Sequence, residues 1–321
     1  MKILIIRLSS LGDIVLTQPI CRCLREQYPD AIIDYLCKTQ YSELVSLMGC
    51  GLNPIAYKKN IAHHLMLRSQ QYDLVLDLQN KFSSFLLRTF AAAKNTRVYD
   101  KQRALRKRIV AHTTDQAISH TLDLYKSALR GIADNPQLDP PSLQVPELSL
   151  PIAIPEAAKV IMLFPGAAHY TKMYPAASYK DLLQSSPEDY FFILAGSRTE
   201  YSLCEELHRA SPSKSMNLAG KLSFPEILKA MQGVDWVISS DSGPMHLAAA
   251  LQKPQIAIFG ATHPRLGFAP LNPHAAILCR DLPCQPCSLH GGDSCPQKHF
   301  KCMLQITPQS IIDILTSDIT F

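Results

Sequence analysis

Apolar residues in this chain gather in short unbroken runs rather than in strict alternation. The opening KILIIRL is a β-branched run that closes on the small polar turn SSLGD, and beyond it apolar and polar positions recur at helical spacing through Tyr28. The pattern predicts strand, loop, helix. IIDYLC repeats the strand signal, YSELVSLMG the helix, and YDLVLDLQ a further strand. Unbroken apolar strands separated by helices predict a parallel sheet covered on both faces, hence an α/β fold.

The alternation is interrupted once. Between Pro136 and Pro155 lie six prolines, a density that opposes both helix interior and central strand and predicts an extended connection. It then restarts: VIMLFPG as strand, SYKDLLQ as helix, YFFILAG as strand, and TEYSLCEELHRA and SFPEILKAMQG as helices. DWVISS is a strand, a helix follows from Pro244, and QIAIFG is the last clear strand. A chain of 321 residues exceeds what one core usually supports, so two α/β domains are expected, residues 1–150 and 151–321. Open sheets of this kind bind ligands beyond the carboxyl ends of their strands.

Composition narrows the class. Hydrophobic residues make up 47% and charged residues 18%, which argues against disorder. The opening run is broken by Arg7 and Asp13, which argues against a signal peptide, and no apolar stretch reaches the length of a membrane span. A cytoplasmic protein is expected, with room for peripheral contact at a membrane face. The net charge of +5 suits anionic partners without selecting among them. Its distribution says more: Lys94 to Arg108 carries seven basic residues against the single acid Asp100. That segment fits a carboxylated or phosphorylated partner, an anionic lipid surface, or a solvated helix face.

Candidate chemistry falls in the loops after predicted strands. Asp13 ends the first loop, where it can cap the next helix or serve as a base. Lys172, beyond the Pro165–Gly166 turn, can neutralise a phosphate, with Thr171 as a neighbouring hydroxyl donor. In SSDSGPMHLAAA, Ser242 and Gly243 precede a helix with Pro244 at its first position, and such an N-terminus offers free amides to an anion. Asp241 there is expected to cap or order the loop, and His246 either to pack or to add a contact. Gly196 and Glu200 share the rim, where a carboxylate can take ribose hydroxyls or cap the next helix. Thr262, in the FGATHPR turn, closes the series. Cys284, Cys287, Cys295 and Cys302 are spaced C-x2-C-x7-C-x6-C, compatible with tetrahedral zinc, buried thiols or a local disulfide, with no metal as the working expectation. No G-x-G-x-x-G or P-loop follows any strand, which argues against a nicotinamide enzyme or a P-loop NTPase.

Together IRLSSLGDIVLTQPI, FPGAAHYTKMYP, DSGPMHLAAALQKPQIAIFGAT and CQPCSLHGGDSCPQKHFKCM resemble, in order, the motifs of the ADP-heptose:lipopolysaccharide heptosyltransferase family, glycosyltransferase family 9. The resemblance runs from Met1 to about Pro308. It implies a GT-B fold, two Rossmann-like domains facing across a cleft, with acceptor on the N-terminal and nucleotide-sugar donor on the C-terminal domain. It implies inverting transfer of heptose from ADP-heptose to the inner core of lipopolysaccharide, a Kdo–lipid A-like acceptor, at the cytoplasmic face of the inner membrane. Neither a metal cofactor nor nucleic acid enters that scheme. Asp13 matches the family's base, Lys172 its diphosphate lysine, Glu200 its donor-side acid, and Asp241 to His246, with Met245, its donor loop. The acceptor side is expected around Ser10, Gly12, Arg103 and Arg106.

Two positions depart from the family pattern. Ala167 and Ala168 stand where a hydroxyl residue is frequent, and Tyr174 where Trp is frequent. The diphosphate is therefore expected to rely on Thr171, Lys172 and backbone amides. Rival readings are a nucleotide-sugar epimerase of the same fold, which needs no acceptor, and a non-catalytic nucleotide-sugar or lipopolysaccharide-binding protein.

Overall fold

A computed structural model describes residues 1–133 and 136–317. The chain divides into two compact units. The first takes Met1–Arg103 and His120–Gln144; the second takes Ala104–Ser119 and the chain from Val145 onward. The division thus falls at Gln144–Val145 where residue 150 was expected, and a short internal segment passes to the second unit. Its reason is local: in that segment Ile118 N–H donates to the Arg265 carbonyl, Arg265 Nη2 donates to the Thr114 carbonyl, and the Arg106 guanidinium lies over the Phe268 ring.

In the first unit five parallel strands, β1 (Lys2–Ile6), β2 (Ile32–Cys37), β3 (Leu52–Ala56), β4 (Leu74–Asp77) and β5 (Asn95–Val98), run in the order β3-β2-β1-β4-β5. β1 is central and nearly all apolar because helices cover both faces. Leu4, Ile6, Leu36, Val75 and Leu87 form one buried cluster there. Register is direct, with Ile5 opposite both Tyr35 and Leu76.

The second unit holds six parallel strands, β6 (Lys159–Phe164), β7 (Tyr190–Leu194), β8 (Ser215–Asn217), β9 (Trp236–Ser240), β10 (Gln255–Ile258) and β11 (Ala275–Leu278), in the order β11-β10-β9-β6-β7-β8. Counted from β6 as the first strand, this is the dinucleotide-fold order 3-2-1-4-5-6, and the first unit has the same order up to its fifth strand. In each sheet the order reverses beside the first strand. The switch points lie between β1 and β4 and between β6 and β9, where connections leave in opposite directions and open a crevice. Among the described residues no helix is long and apolar enough to cross a membrane.

Candidate active site

At the first switch point β1 ends and Arg7 follows, almost fully buried. Ser10 then caps the short helix Leu11–Val15, and Asp13 is the third residue of that helix rather than its cap. Asp13 Oδ2 accepts from Ser10 N–H at 3.2 Å, from Ser10 Oγ at 2.7 Å and from Arg7 Nη2 at 2.6 Å. Oδ1 has one described protein donor, the Tyr125 hydroxyl at a long 3.3 Å. Burial would raise the Asp13 carboxyl, but the Arg7 guanidinium and the Ser10 bonds outweigh it and hold the group far below the usual carboxylate range. Capping and an open, ionised oxygen therefore coexist on one side chain.

The loop carrying Asp13 is fixed from β4. Asp77, fully buried, accepts from the amides of Gln79 and Asn80, from Ser84 Oγ and from Arg88. So anchored, Gln79 turns its side-chain oxygen to Leu8 N–H at 3.0 Å. Its backbone carbonyl takes Lys101 Nζ at 3.3 Å. Partial burial, and then repulsion from Arg7 and Lys81, push the Lys101 ammonium down to about 8. Arg103 Nη2 donates to the Asn80 carbonyl. Gly12 is buried beside Asp13.

Arg106, expected on the acceptor side with Ser10, Gly12 and Arg103, is buried in the second unit, its guanidinium 5.0 Å from the Phe268 centroid. An Arg every few residues along a helix reads as one basic surface in sequence, although its turns face different neighbours.

At the second switch point, Lys172 lies in a single turn after β6 and pairs through Nζ with Asp241 Oδ2 at 2.8 Å. Asp241, expected to cap or order its loop, takes both Lys172 and the Thr262 hydroxyl, the latter at 2.7 Å. Thr262 therefore reaches the site through Asp241. Ser242 stands at the N-cap position of the helix Gly243–Ala250 without a side-chain capping bond, and Pro244 is in the second position of the helix, one later than expected. The Ser242 Oγ is buried with no protein partner, at a helix end whose first amides are free. Met245 and His246 are buried in the helix's packed face.

Glu200 divides its oxygens as Asp13 does. Oε2 accepts from Ser197 N–H at 2.6 Å and Ser197 Oγ at 2.7 Å, a capping arrangement. Oε1 lies over the Pro165–Gly166 turn, so close that a Cβ at Gly166 would stand 1.8 Å from it. Gly196 is pressed by the same side chain. Thr171 is buried and tied to Gly292 in both directions: its amide donates to the Gly292 carbonyl at 3.0 Å, and its Oγ1 accepts from the Gly292 amide at 2.8 Å. Tyr174 is also buried, its hydroxyl on the Ile306 carbonyl, so it is a core residue.

Behind these residues runs the cysteine-rich excursion. Gln285 Nε2 holds the Gly260 carbonyl and the Cys287 amide the Ala261 carbonyl, so the excursion supports the turn that carries Thr262. Its thiols are free; burial, then mutual repulsion, pushes Cys287 up to about 12 and Cys302 up to about 11. His263, Cys279 and Asp281 also converge. Because His263 Nδ1 accepts from the Arg265 amide, the ring proton sits on Nε2 and faces Asp281 Oδ1 at 2.6 Å. The two side chains form a hydrogen-bonded pair.

Residues 61–297 match the profile of Glycosyltransferase family 9 (heptosyltransferase). The chain belongs to this family. It is 28% identical to lipopolysaccharide heptosyltransferase 2 of Salmonella typhimurium, over 99% of this chain and 98% of the relative. It is 25% identical to lipooligosaccharide heptosyltransferase 2 of Campylobacter jejuni, over 98% and 97%. Among solved structures, the E. coli ADP-heptose lipopolysaccharide heptosyltransferase II superposes with a TM-score of 0.77 at 25% identity, covering 98% and 97% of the two chains. The fold of this glycosyltransferase is thus GT-B, with two parallel α/β sheets.

The sequence pattern missed Arg7, Asp77, Gln79, Lys101 and Tyr125. A usable signal existed for two of them: Arg7 and Asp77 are charges at the carboxyl end of otherwise apolar buried strands, where a parallel sheet presents its functional groups. Tyr125 lies 112 residues from its partner and carries no local signal.

Proposed function

We propose that this heptosyltransferase moves heptose from an ADP-heptose donor to the inner core of a lipopolysaccharide acceptor by a single displacement with inversion. Asp13 takes the proton of the acceptor hydroxyl as that oxygen attacks the anomeric carbon. The anomeric bond to the β-phosphate breaks and its electron pair leaves with ADP. Lys172, the free amides from Gly243 onward and the Ser242 hydroxyl receive the diphosphate charge, and Glu200 Oε1 is offered to the ribose. Thr171 and the Asp241–Thr262 contact set the position of Lys172. Because a lysine and a helix end meet the leaving charge, the reaction runs without a metal cofactor. The basic groups Lys81, Lys101 and Arg103 favour an anionic acceptor, and a lipid-borne acceptor places the work at the cytoplasmic membrane face.

The observation that carries this reading is Asp13 itself, an ionised carboxylate with one oxygen open, at the switch point of a family 9 sheet. Asp13→Asn is expected to lower acceptor-dependent ADP release by about 10²–10⁴-fold, the usual contribution of a positioned base, with ADP-sugar affinity unchanged. Full turnover by folded Asp13→Asn protein overturns the assignment.

A further inference from the structure

We infer that Arg7 is a positioning residue that assigns the two oxygens of Asp13 different work: Oδ2 is clamped and Oδ1 is the atom that receives the acceptor's proton. This rests on the reading of Asp13 as base.

The geometry is lopsided. Three donors converge on Oδ2 within 3.2 Å, two from Ser10 and one from Arg7, whereas among the described residues Oδ1 takes only the Tyr125 hydroxyl at 3.3 Å. Arg7 cannot swing away easily, because its other Nη donates to the Leu78 carbonyl and its guanidinium lies 5.7 Å from the Tyr125 centroid. The clamp therefore spans β1, the turn after β4 and the helix Thr121–Lys126, and Asp13 projects onto it from a fourth element. Oδ2 has no lone pair to spare for an incoming hydroxyl. A hydroxyl arriving at Oδ1 needs only to displace or share one long bond.

The clamp also sets the charge. The titratable and charged groups around Asp13 are Arg7, Tyr125, Tyr41 and Lys101; burial raises both phenols, so they stay protonated at working pH. Arg7 is thus the cation in direct contact, and with the Ser10 bonds it holds the carboxyl far below the usual carboxylate range. A base so acidified does not hold a proton for long. In the transfer step the acceptor O–H bond breaks as its oxygen bonds the anomeric carbon, and the bond to the β-phosphate breaks with its electron pair retained by ADP. The proton lands on Oδ1 and, beside Arg7, passes to water, which returns the site to its starting charge.

The test compares pH–rate profiles of wild type, Arg7→Lys, Arg7→Met and Asp13→Asn. The acid limb is expected to move to higher pH in the order wild type, Arg7→Lys, Arg7→Met. Turnover at neutral pH should fall about tenfold and about a hundredfold in the two variants, within the range a general base contributes. A residue that merely holds the fold would lower the rate without moving the limb. Superimposable profiles for either Arg7 variant overturn the inference, so Arg7→Lys alone decides if Arg7→Met does not fold. If Asp13→Asn keeps full activity, the base reading itself fails. If it is inactive while the Arg7 limbs stay still, only the role of Arg7 fails.

Discussion

Each unit places an ion pair at its switch point, and the two pairs are built the opposite way round. In Arg7–Asp13 the cation is the deeper member, with side-chain exposures of 5% and 19%; in Lys172–Asp241 the carboxylate is deeper, with 16% for the lysine and 8% for the acid. The more exposed partner is the one free to meet a ligand. The first pair therefore offers a carboxylate, suited to a hydroxyl proton, and the second an ammonium, suited to a phosphate. One motif, a buried ion counterbalancing an open one, presents a carboxylate in one sheet and an ammonium in the other.

Removing the open member of the second pair should break the comparison most visibly. Lys172→Ala is expected to cut kcat by about 10²–10³-fold, the scale for losing one preorganised donor to developing charge, with the acceptor KM little changed. Single-turnover measurement of ADP release checks this. An unaltered kcat with a raised donor KM would mean that the lysine serves ground-state binding alone.

The first unit keeps another cation near its pair. Lys101, pushed down to about 8, is charged below that pH and neutral above it. Binding of an anionic acceptor should weaken severalfold as pH rises through this value, and Lys101→Gln should remove that limb from kcat/KM. For stability the sign is opposite. The folded state binds fewer protons than the unfolded state between about 8 and the ordinary lysine value, so folding is favoured as pH rises across that window. Chemical denaturation at two pH values, with and without Lys101→Gln, reads this out.

The smallest effect is expected behind the second pair. Thr262→Val removes the hydroxyl that steadies Asp241 and should lower stability by about 1 kcal/mol, the net worth of a typical hydrogen bond, with a few-fold loss of turnover. Thermal unfolding and steady-state rates measure both. A larger loss of turnover than of Lys172→Ala would show that Thr262 touches the donor directly.

The apolar runs read along the chain picked out seven of the eleven strands among the described residues, and the other four are the four sheet edges: β3, β5, β8 and β11. An edge strand has one unpaired side and is less covered, so it carries polar residues, as in Asn95–Val98, or even a proline, as Pro54 in β3. The site was legible where it is local. Asp13 and Glu200 were each legible as an acid that can cap the next helix, and the family resemblance added the expected roles of base and donor-side acid. Deciding between those roles required coordinates, since it depends on which oxygen each neighbour takes. The clamp on Asp13 joins residues 7, 78 and 125, and no window along the chain brings these together.

The segment Ala104–Ser119 gives the two units an unusual inheritance. The backbone changes unit after Arg103, after Ser119 and again after Gln144, so the first unit is not one continuous stretch of gene. A split expressed as two halves at the proline-rich stretch would part Ile118 and Thr114 from Arg265 and Arg106 from Phe268, leaving the C-terminal half without a segment of its own unit. Such halves would have to be made together to be soluble, and domain exchange with a relative would have to carry residues 104–119 along with the C-terminal part.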